Sequence, residues 1–256
     1  MRTPRTVGII QARLGSTRLP RKVLSDLAGQ TMLERVVERV RAAGTIHEVV
    51  VATTDHPRDD VLVALADEKG WPCIRGSEQD VLSRYYAAAQ AYQADAVVRV
   101  CSDCPLTDPD VLDALVTLLH ADAGHDYVAN NFDPASYPKG LDAEAFTAEA
   151  LEVAWEEDTR PEWREHVTPY IRQHPERFRH GELRSSRNYA HMRWTVDVPA
   201  DLELMRRIYR HILPTTPWRQ VVALLDANPG WVSLNAHITQ RTVSSRERDE
   251  TTGGRG

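Results

Sequence analysis

Short apolar runs alternate with amphipathic helical segments along the first half of the chain. Residues 7–10 (VGII) and 48–53 (EVVVAT) are too short for helices and have the composition of buried strands. Between them, Thr31 and Glu34 form a T-x-x-E capping box, and apolar residues follow at helical spacing. Because strand, helix and strand follow one another at these lengths, the pattern predicts a β-α-β unit with parallel strands.

The same alternation continues to Asn130. In order, the pattern predicts a helix with Pro57 in its first turn that ends near Gly70, a helix over 78–92, a strand over 96–100, a helix opened by Asp108 and Pro109, and a strand ending at Asn130. This order predicts an α/β fold, a mostly parallel sheet with helices on both faces. In such sheets, ligands bind beyond the carboxyl ends of the strands.

Beyond Asn130 the spacing becomes irregular. The predicted elements are a loop over 131–140, a half-exposed strand over 141–146, helices from 148 and over 161–173, strands over 178–183 and 192–198, a helix over 199–212 and a shorter helix over 218–226. We interpret residues 131–190 as a β/α insertion within one domain that spans residues 1–240. Residues 241–256 are polar and charged, which predicts a disordered tail.

Composition restricts the function classes. With 42% hydrophobic and 27% charged residues, the 256-residue chain is neither disordered nor fibrous. The formal net charge of -6 argues against a general nucleic-acid-binding surface. Three cysteines are too few for a disulfide framework. The first residues lack the apolar stretch of a signal peptide, and no apolar run approaches the roughly 20 residues that span a bilayer. We therefore expect a soluble cytoplasmic protein with no membrane partner.

The clearest candidate for chemistry is the loop after the first strand, residues 11–22 (QARLGSTRLPRK). Its last ten residues carry four cations and no acid in a chain that is acidic overall. In an α/β sheet this loop lies where an anionic ligand binds, although a solvated basic loop would have the same composition. Pro20 stands where a P-loop needs its second glycine, and no G-x-G-x-x-G is present, so two standard phosphate loops are excluded.

Two acids follow apolar runs at predicted strand ends, Asp103 and Asp197. Together they could hold one magnesium ion, which often takes one or two carboxylates with phosphate oxygens and water. A turn carboxylate explains Asp103 equally well, and a helix cap before Pro199 explains Asp197. Cys101 and Cys104 have C-x-x-C spacing, but without a second pair we interpret them as small buried residues.

Other polar segments carry weaker signals. Residues 137–144 and 164–169 could contact a substrate, although ordinary surface polarity explains either segment alone. Asp55 and the pair Asp80 and Arg84 are better explained by helix capping and surface pairing.

These segments together resemble a known family. The loop resembles the P-A-R-x-x-S-x-R-L-P-x-K signature of CTP-dependent cytidylyltransferases that activate acidic sugars. Its branch called spore-coat polysaccharide biosynthesis protein F is similar at residues 51–55 (VATTD), 76–82 (GSEQDVL), 103–106 (DCPL), 137–142 (YPKGLD), 164–171 (REHVTPYI) and 196–202 (VDVPADL). The resemblance covers residues 6–240. Three departures are Gln11 in place of proline, Cys101 with Ser102 in place of a Thr-Gly or Gln-Gly pair, and Lys139 where an acid is frequent.

The resemblance implies a Rossmann-like, GT-A-like nucleotidyltransferase that uses CTP and Mg²⁺ and is often a homodimer through the insertion. It implies catalytic roles for Arg13, Lys22 and Asp103 and magnesium ligation by Asp103 and Asp197. The nucleotide-binding set that it implies is Gln11, Ala12, Arg13, Leu14, Gly15, Ser16, Arg18, Lys22, Thr54, Asp80 and Asp103. The acceptor-binding set is Lys139, Asp142, Glu144, Arg164 and His166.

The expected reaction is the attack of an acceptor oxygen on the α-phosphorus of CTP, with release of pyrophosphate. The acceptor stays open between a 2-keto sugar acid, such as a nonulosonic acid, and a small phosphonate or phosphate. One alternative is a glycosyltransferase, whose D-x-D metal motif could only be Asp108-Pro109-Asp110, which is better explained as a helix cap. The other alternative is a non-catalytic nucleotide-binding partner, which would not need both strand-end acids.

Overall fold

The computed structural model describes residues 4–121 and 124–238. Its centre is a seven-stranded sheet in the order β3-β2-β1-β4-β6-β5-β7. The strands are β1 (Thr6–Gln11), β2 (Glu48–Thr54), β3 (Cys73–Gly76), β4 (Ala96–Cys101), β5 (Tyr127–Ala129), β6 (Glu144–Thr147) and β7 (His180–Glu182). Only the pairings of β6, with β4 and β5, are antiparallel. The predicted mostly parallel α/β sheet is confirmed.

Helices cover both faces of the sheet. They are α1 (Met32–Arg41), α2 (Asp60–Lys69), α3 (Val81–Ala91), α4 (Pro109–Leu119), α5 (Ala148–Glu157), α6 (Pro161–His166), α7 (Pro169–Gln173), α8 (Pro199–Tyr209), α9 (Trp218–Asp226) and α10 (Pro229–Val232). Successive strand residues point to opposite faces, so Ile9 and Ile10 lie in two separate hydrophobic cores. None of these helices, within the residues described, is long and apolar enough to span a membrane.

The predicted helix starts are present. The Thr31 hydroxyl accepts from the Glu34 amide at 3.2 Å and the Glu34 carboxylate from the Thr31 amide at 2.6 Å, which closes the capping box. Asp108 accepts from the amides of Asp110 and Val111 at the start of α4. It also accepts from the Trp218 amide at 2.7 Å. The only candidate D-x-D motif therefore serves as a helix cap, as its sequence predicts.

Two elements of the predicted insertion differ from expectation. The helix predicted over 161–173 is divided into α6 and α7, because Val167 has a positive φ of 71° and Pro169 begins a new helix. The strand predicted as half-exposed over 141–146 begins later, as β6, and is buried because it lies between β4 and β5.

Two further differences concern strands. The segment 192–198 is extended but forms one isolated bridge, Lys139 to Arg193, because the amides of Trp194 and Val196 bond to loop carbonyls instead of a neighbouring strand. The edge strand β3 has the mixed sequence CIRG and no apolar run, so the hydrophobic pattern did not predict it. The predicted tail, 241–256, lies outside the described residues.

Candidate functional site

The basic loop folds back over the carboxyl end of β1 because a buried carboxylate holds it. Asp59 is fully buried and accepts from the Leu14 amide at 2.8 Å and from the Thr54 hydroxyl. Leu14 and Thr54 therefore do not line the neighbouring cavity. The family resemblance implies that Leu14 and Thr54 contact the nucleotide. In the structure both bond to Asp59 and hold the loop on the side away from the cavity.

A cavity of about 350 Å³ opens between this loop, the end of β4 and the start of α3. It brings together most of the predicted nucleotide and metal residues: Gln11, Ala12, Arg13, Gly15, Ser16, Arg18, Lys22, Asp103 and Asp197. We call it the nucleotide cavity. Asp80 is not part of its lining; it caps α3 by accepting from the Ser83 amide at 2.9 Å and pairs with Arg164 at 2.8 Å.

Lys22 lies at the centre of a charged cluster on the floor of the nucleotide cavity. Its Nζ donates to Asp103 Oδ2 at 2.8 Å, to Asp197 Oδ1 at 2.9 Å and to the Val196 carbonyl at 2.8 Å. Arg18 Nη2 also approaches Asp197 Oδ1, at 2.9 Å. Burial alone would lower the pKa of Lys22, but the two carboxylates raise it above its ordinary value. Lys22 is therefore charged at neutral pH.

The cluster shows that the two predicted metal acids converge, although they are far apart in sequence. Oxygens of Asp103 and Asp197 already share one cationic nitrogen. Burial would raise the pKa of Asp197, but Lys22, Arg18 and Arg193 keep it below its ordinary value, so the carboxylate is ionised. Within the described ranges no group of three or more His, Cys, Asp or Glu side chains is placed to hold a metal ion. Two carboxylates suit a hard divalent cation that takes its other ligands from phosphate and water.

A buried ion pair fixes Asp197. Asp201 is fully buried and accepts from Arg193 Nε and Nη2, each at 2.9 Å. It also accepts from the amides of Asp197 and Val198 and from Asn235 Nδ2 at 2.8 Å. The sequence analysis missed this support. Asp201 lies in the family-like segment 196–202 and in the first turn of the helix that Pro199 opens, but neither signal indicated its pairing with Arg193.

Arg84 also differs from expectation. It does not pair with Asp80 at the surface; its side chain is 3% exposed and lines the nucleotide cavity. Its Nε and Nη1 are buried and have no hydrogen-bond partner. Burial lowers the pKa of Arg84 and so does the charge of Arg13, whereas Tyr85, Asp59 and Asp55 oppose this only in part.

A second cavity of about 670 Å³ adjoins the first and shares Gln11, Arg18, Cys101, Asp103, His166 and Asp197 with it. We call it the acceptor cavity. Lys139 and Asp142 line it and form an ion pair at 3.0 Å. Gly140, between them, has a φ of 105°, and a Cβ there would collide with the backbone of Trp194 and Thr195. This close approach fixes the loop against the wall of the cavity.

Two predicted acceptor residues have mainly structural contacts. Glu144 lines the acceptor cavity, but it is 3% exposed and accepts from Arg99 at 2.6 Å, from the Tyr127 hydroxyl at 2.5 Å and from the Thr168 hydroxyl at 2.9 Å. Arg164 lines neither cavity. It donates to Asp80 and to the carbonyls at the end of α5, 2.9 Å from Trp155 and 2.7 Å from Asp158.

Arg172 was missed by sequence reasoning and lines the acceptor cavity. Its Nη1 and Nη2 donate to the side-chain and backbone oxygens of Asn131, each at 3.0 Å, and its guanidinium lies 4.5 Å from the centre of the Phe132 ring. In the part of the chain that the structure describes, no acid forms an ion pair with it. No motif marked it in the sequence.

A comparison of the sequence with known protein families gives a match that covers the two cavities. A family model described as "Cytidylyltransferase" matches residues 7–228, which include both cavities. The chain belongs to the cytidylyltransferase family. It is therefore a nucleotidyltransferase, and the resemblance stated from its motifs is confirmed.

Relatives and a solved structure extend this result. The chain is 33% identical over 230 residues to the spore coat polysaccharide biosynthesis protein SpsF of Bacillus subtilis, covering 86% of this chain and 94% of the relative. It is 35% identical over 136 residues to the 3-deoxy-manno-octulosonate cytidylyltransferase of Acidobacterium capsulatum, covering 48% and 54%. A cytidylyltransferase structure from Leptospira borgpetersenii superposes with a TM-score of 0.86 at 30% identity, covering 94% of this chain and all of the other.

Of the C-x-x-C cysteines of this cytidylyltransferase, Cys104 is buried and Cys101 is half-buried on the wall shared by the two cavities. Burial raises the pKa of Cys101 to about 11 and raises that of Cys104 above its ordinary value. Both are free, so at neutral pH both stay protonated and poorly nucleophilic. Cys104 agrees with the interpretation as a small buried side chain, whereas Cys101 is partly exposed to the cavities.

Glu144 predicts how the stability of this cytidylyltransferase depends on pH. Burial alone would raise its pKa, but Arg99, Tyr127 and Thr168 keep it below the ordinary value of 4.5. Since folding lowers this pKa, the stabilisation is present above the ordinary value of 4.5 and is lost as the pH falls through the lower folded value. We expect the urea-derived free energy of unfolding to fall from pH 5 towards pH 3, and less steeply in Glu144→Gln. An equal slope in both proteins would contradict this assignment.

Proposed function

We propose that this cytidylyltransferase transfers CMP from CTP to an acidic acceptor and releases pyrophosphate. The observation that carries the proposal is the position of Asp103, which lies on the wall shared by the two cavities. One cavity is lined by the basic loop and the other by Arg172, which has no acidic partner among the described residues, so each offers a cation to an anionic group. The junction at Asp103 is where an acceptor oxygen would meet the α-phosphorus.

The nucleotide cavity would hold the triphosphate through the basic loop. We assign Arg13, Arg18 and Lys22 to phosphate charge and Ser16, Ala12 and Gly15 to hydrogen bonds at the loop backbone. Asp103 and Asp197 would hold a magnesium ion. When bound, this ion would polarise the α-phosphate and neutralise charge that develops during transfer.

The reaction needs positioning and charge stabilisation more than covalent help. The acceptor oxygen forms a bond to the α-phosphorus, and the bond to the bridging oxygen breaks, so pyrophosphate leaves with the electron pair. Arg13 and Lys22 would stabilise this leaving group. A phosphonate or phosphate oxygen is already ionised near neutral pH and would need no general base. A sugar hydroxyl would release its proton as the bond to phosphorus forms, so it would need a base or activation by the metal.

In the acceptor cavity, we assign Lys139, Arg172 and His166 to the acidic acceptor. Arg172 has the strongest case, because Asn131 fixes its guanidinium without neutralising it. A rigid uncompensated guanidinium favours a carboxylate. The relative from Acidobacterium capsulatum is named for a 2-keto sugar acid, which supports an acceptor of this class over a neutral sugar.

Calorimetric titration with CTP, ATP, UTP and GTP tests the nucleotide. We expect selective CTP binding that is lost when the divalent metal is chelated, since Asp103 and Asp197 would bind the metal together with phosphate oxygens. Binding of UDP- or GDP-sugars with no response to CTP would favour glycosyl transfer instead. The helix-capping role of Asp108 argues against that outcome.

Substitution of Arg172 tests the acceptor. Arg172→Gln is expected to raise the KM for 3-deoxy-manno-octulosonate, or for another sugar acid that supports pyrophosphate release, by about 10- to 100-fold. The affinity for CTP, measured by calorimetry, should stay unchanged because Arg172 does not line the nucleotide cavity. Arg177→Gln, on an exposed pair with Glu157, is the control for charge loss. An unchanged KM would remove Arg172 from the acceptor site.

We further infer one catalytic domain over residues 1–240, a homodimer and a cytoplasmic location. The predicted insertion, 131–190, contributes β6 and β7 to the same sheet as the first four strands, which supports a single domain. Light scattering of the purified protein tests the homodimer, for which a monomeric mass would be the contradicting result.

A further inference from the structure

Arg84 is a buried cation that the proposed reaction has not used. It lies in the second turn of α3, and its Cγ would be 2.9 Å from a Cβ added at Gly76, so the chain packs against the end of β3. The side chain is 3% exposed, yet it lines the nucleotide cavity. It is therefore held in place by packing at the cavity wall.

The surroundings of Arg84 do not neutralise its charge. Among the described residues it forms no ion pair, and two of its guanidinium nitrogens have no hydrogen-bond partner. The nearby carboxylate of Asp59 is already occupied by the Leu14 amide and the Thr54 hydroxyl. Asp55 acts on Arg84 as a nearby charge without an ion pair, and so does Arg13, which itself pairs with Glu78 and Glu165.

Such an arrangement is unfavourable unless a ligand completes it. An unpaired buried charge costs several kcal/mol, and buried donors without partners are rare outside functional sites. A neutral acceptor, such as a base carbonyl, would satisfy the N–H groups but would leave the buried charge of Arg84 without a counter-charge. An anion satisfies both requirements, and phosphate oxygens match the guanidinium geometry.

We propose that Arg84 is a further phosphate-binding residue of the nucleotide cavity, and that it obtains its counter-charge only from the bound nucleotide. The identity of that nucleotide rests on the proposed function, but the anion chemistry does not. Removal of the Arg84 charge is therefore expected to affect ligand affinity and the stability of the ligand-free protein differently. Loss of the charge should weaken phosphate binding, and it should not destabilise the ligand-free protein.

The test uses Arg84→Met, which keeps an apolar chain of similar length, and Arg84→Lys, which keeps the charge. Calorimetry with inorganic tripolyphosphate measures the anion alone, and titration with cytidine measures the nucleoside alone. For Arg84→Met we expect tripolyphosphate and CTP to bind about 10- to 100-fold more weakly, with cytidine unchanged. Arg84→Lys should lose less affinity for tripolyphosphate than Arg84→Met.

Thermal unfolding of the ligand-free proteins supplies the second readout. The melting temperature of Arg84→Met should equal or exceed that of the wild type, whereas a merely structural arginine would lower it when removed. Arg207→Met, on an exposed pair with Glu203 in α8, controls for net charge and should bind all ligands as the wild type does.

Three outcomes would overturn the inference. The first is no binding of tripolyphosphate by the wild type, or equal affinity in Arg84→Met. The second is a loss confined to cytidine, which would assign Arg84 to the base. The third is a lower melting temperature with unchanged tripolyphosphate affinity. Failure of the proposed function leaves this test intact, because a protein that prefers another nucleotide would still bind tripolyphosphate through Arg84.

Discussion

Asp103→Asn is expected to reduce pyrophosphate release from CTP by about 100- to 1000-fold, the range for loss of a major stabiliser of transition-state charge. Asparagine keeps the shape of the side chain but removes one of the two carboxylates that converge at Lys22. The remaining acid, Asp197, is already paired with Arg18, Lys22 and Arg193, so one carboxylate would hold a divalent ion poorly. Catalysis should therefore fall far more than stability.

Two measurements separate this effect from misfolding. Calorimetry should show that CTP affinity no longer depends on the divalent metal in Asp103→Asn, and circular dichroism should show wild-type structure. Asp110→Asn is the matched control, because this exposed acid lies in the first turn of α4 and belongs to the D-x-D triplet. Full activity in Asp103→Asn, or greater loss in Asp110→Asn, would refute the assignment of the metal site.

Asp201→Asn is expected to lower the free energy of unfolding by about 3–5 kcal/mol, because it breaks a buried ion pair and leaves Arg193 without its main counter-charge. Every group that bonds to the two oxygens of Asp201 is a donor. The side-chain NH₂ group of the introduced asparagine would face these N–H donors, and it cannot accept a hydrogen bond from them. The backbone of Asp197, held by one of these bonds, should also become less well fixed.

Chemical denaturation at neutral pH measures the stability change. Glu203→Gln, on the exposed part of the same helix, is the control and should change the free energy of unfolding by no more than about 0.5 kcal/mol. A second readout is the affinity for CTP with magnesium, which should fall in Asp201→Asn even under conditions where the variant is folded. Equal stability of the two variants would show that the pair between Arg193 and Asp201 contributes little.

Local patterns determined much of the fold. The apolar runs at β1, β2 and β4 are long enough to mark buried strands, and the capping residues Thr31 and Asp108 mark two helix starts directly. Apolar runs and capping residues act on neighbours within a few positions of the chain, so they can be recognised in the sequence alone. The strand β3 lacks such a signal, since its position at the sheet edge depends on pairing with β2.

Part of the candidate site could be predicted from the sequence, and part of it could not. The residues of the basic loop are contiguous, so their shared charge was visible in the sequence, and the strand-end positions of Asp103 and Asp197 suggested one common site. Leu14 and Thr54 were assigned to the nucleotide by motif, but they bond to Asp59 and do not line the nucleotide cavity. Glu144 lines the acceptor cavity, and its buried carboxylate is also hydrogen-bonded within the protein, as buried polar groups generally are.

The sequence by itself determined the alternation of strands and helices, the concentration of positive charge after β1 and the family. Tertiary structure alone decided that Lys22 lies between Asp103 and Asp197, that Asp201 neutralises Arg193, and that Arg84 and Arg172 lack acidic partners among the described residues. The physical reason is distance along the chain. Charge pairing across many tens of residues depends on which strand ends and loops meet at one edge of the sheet, and no local pattern records it.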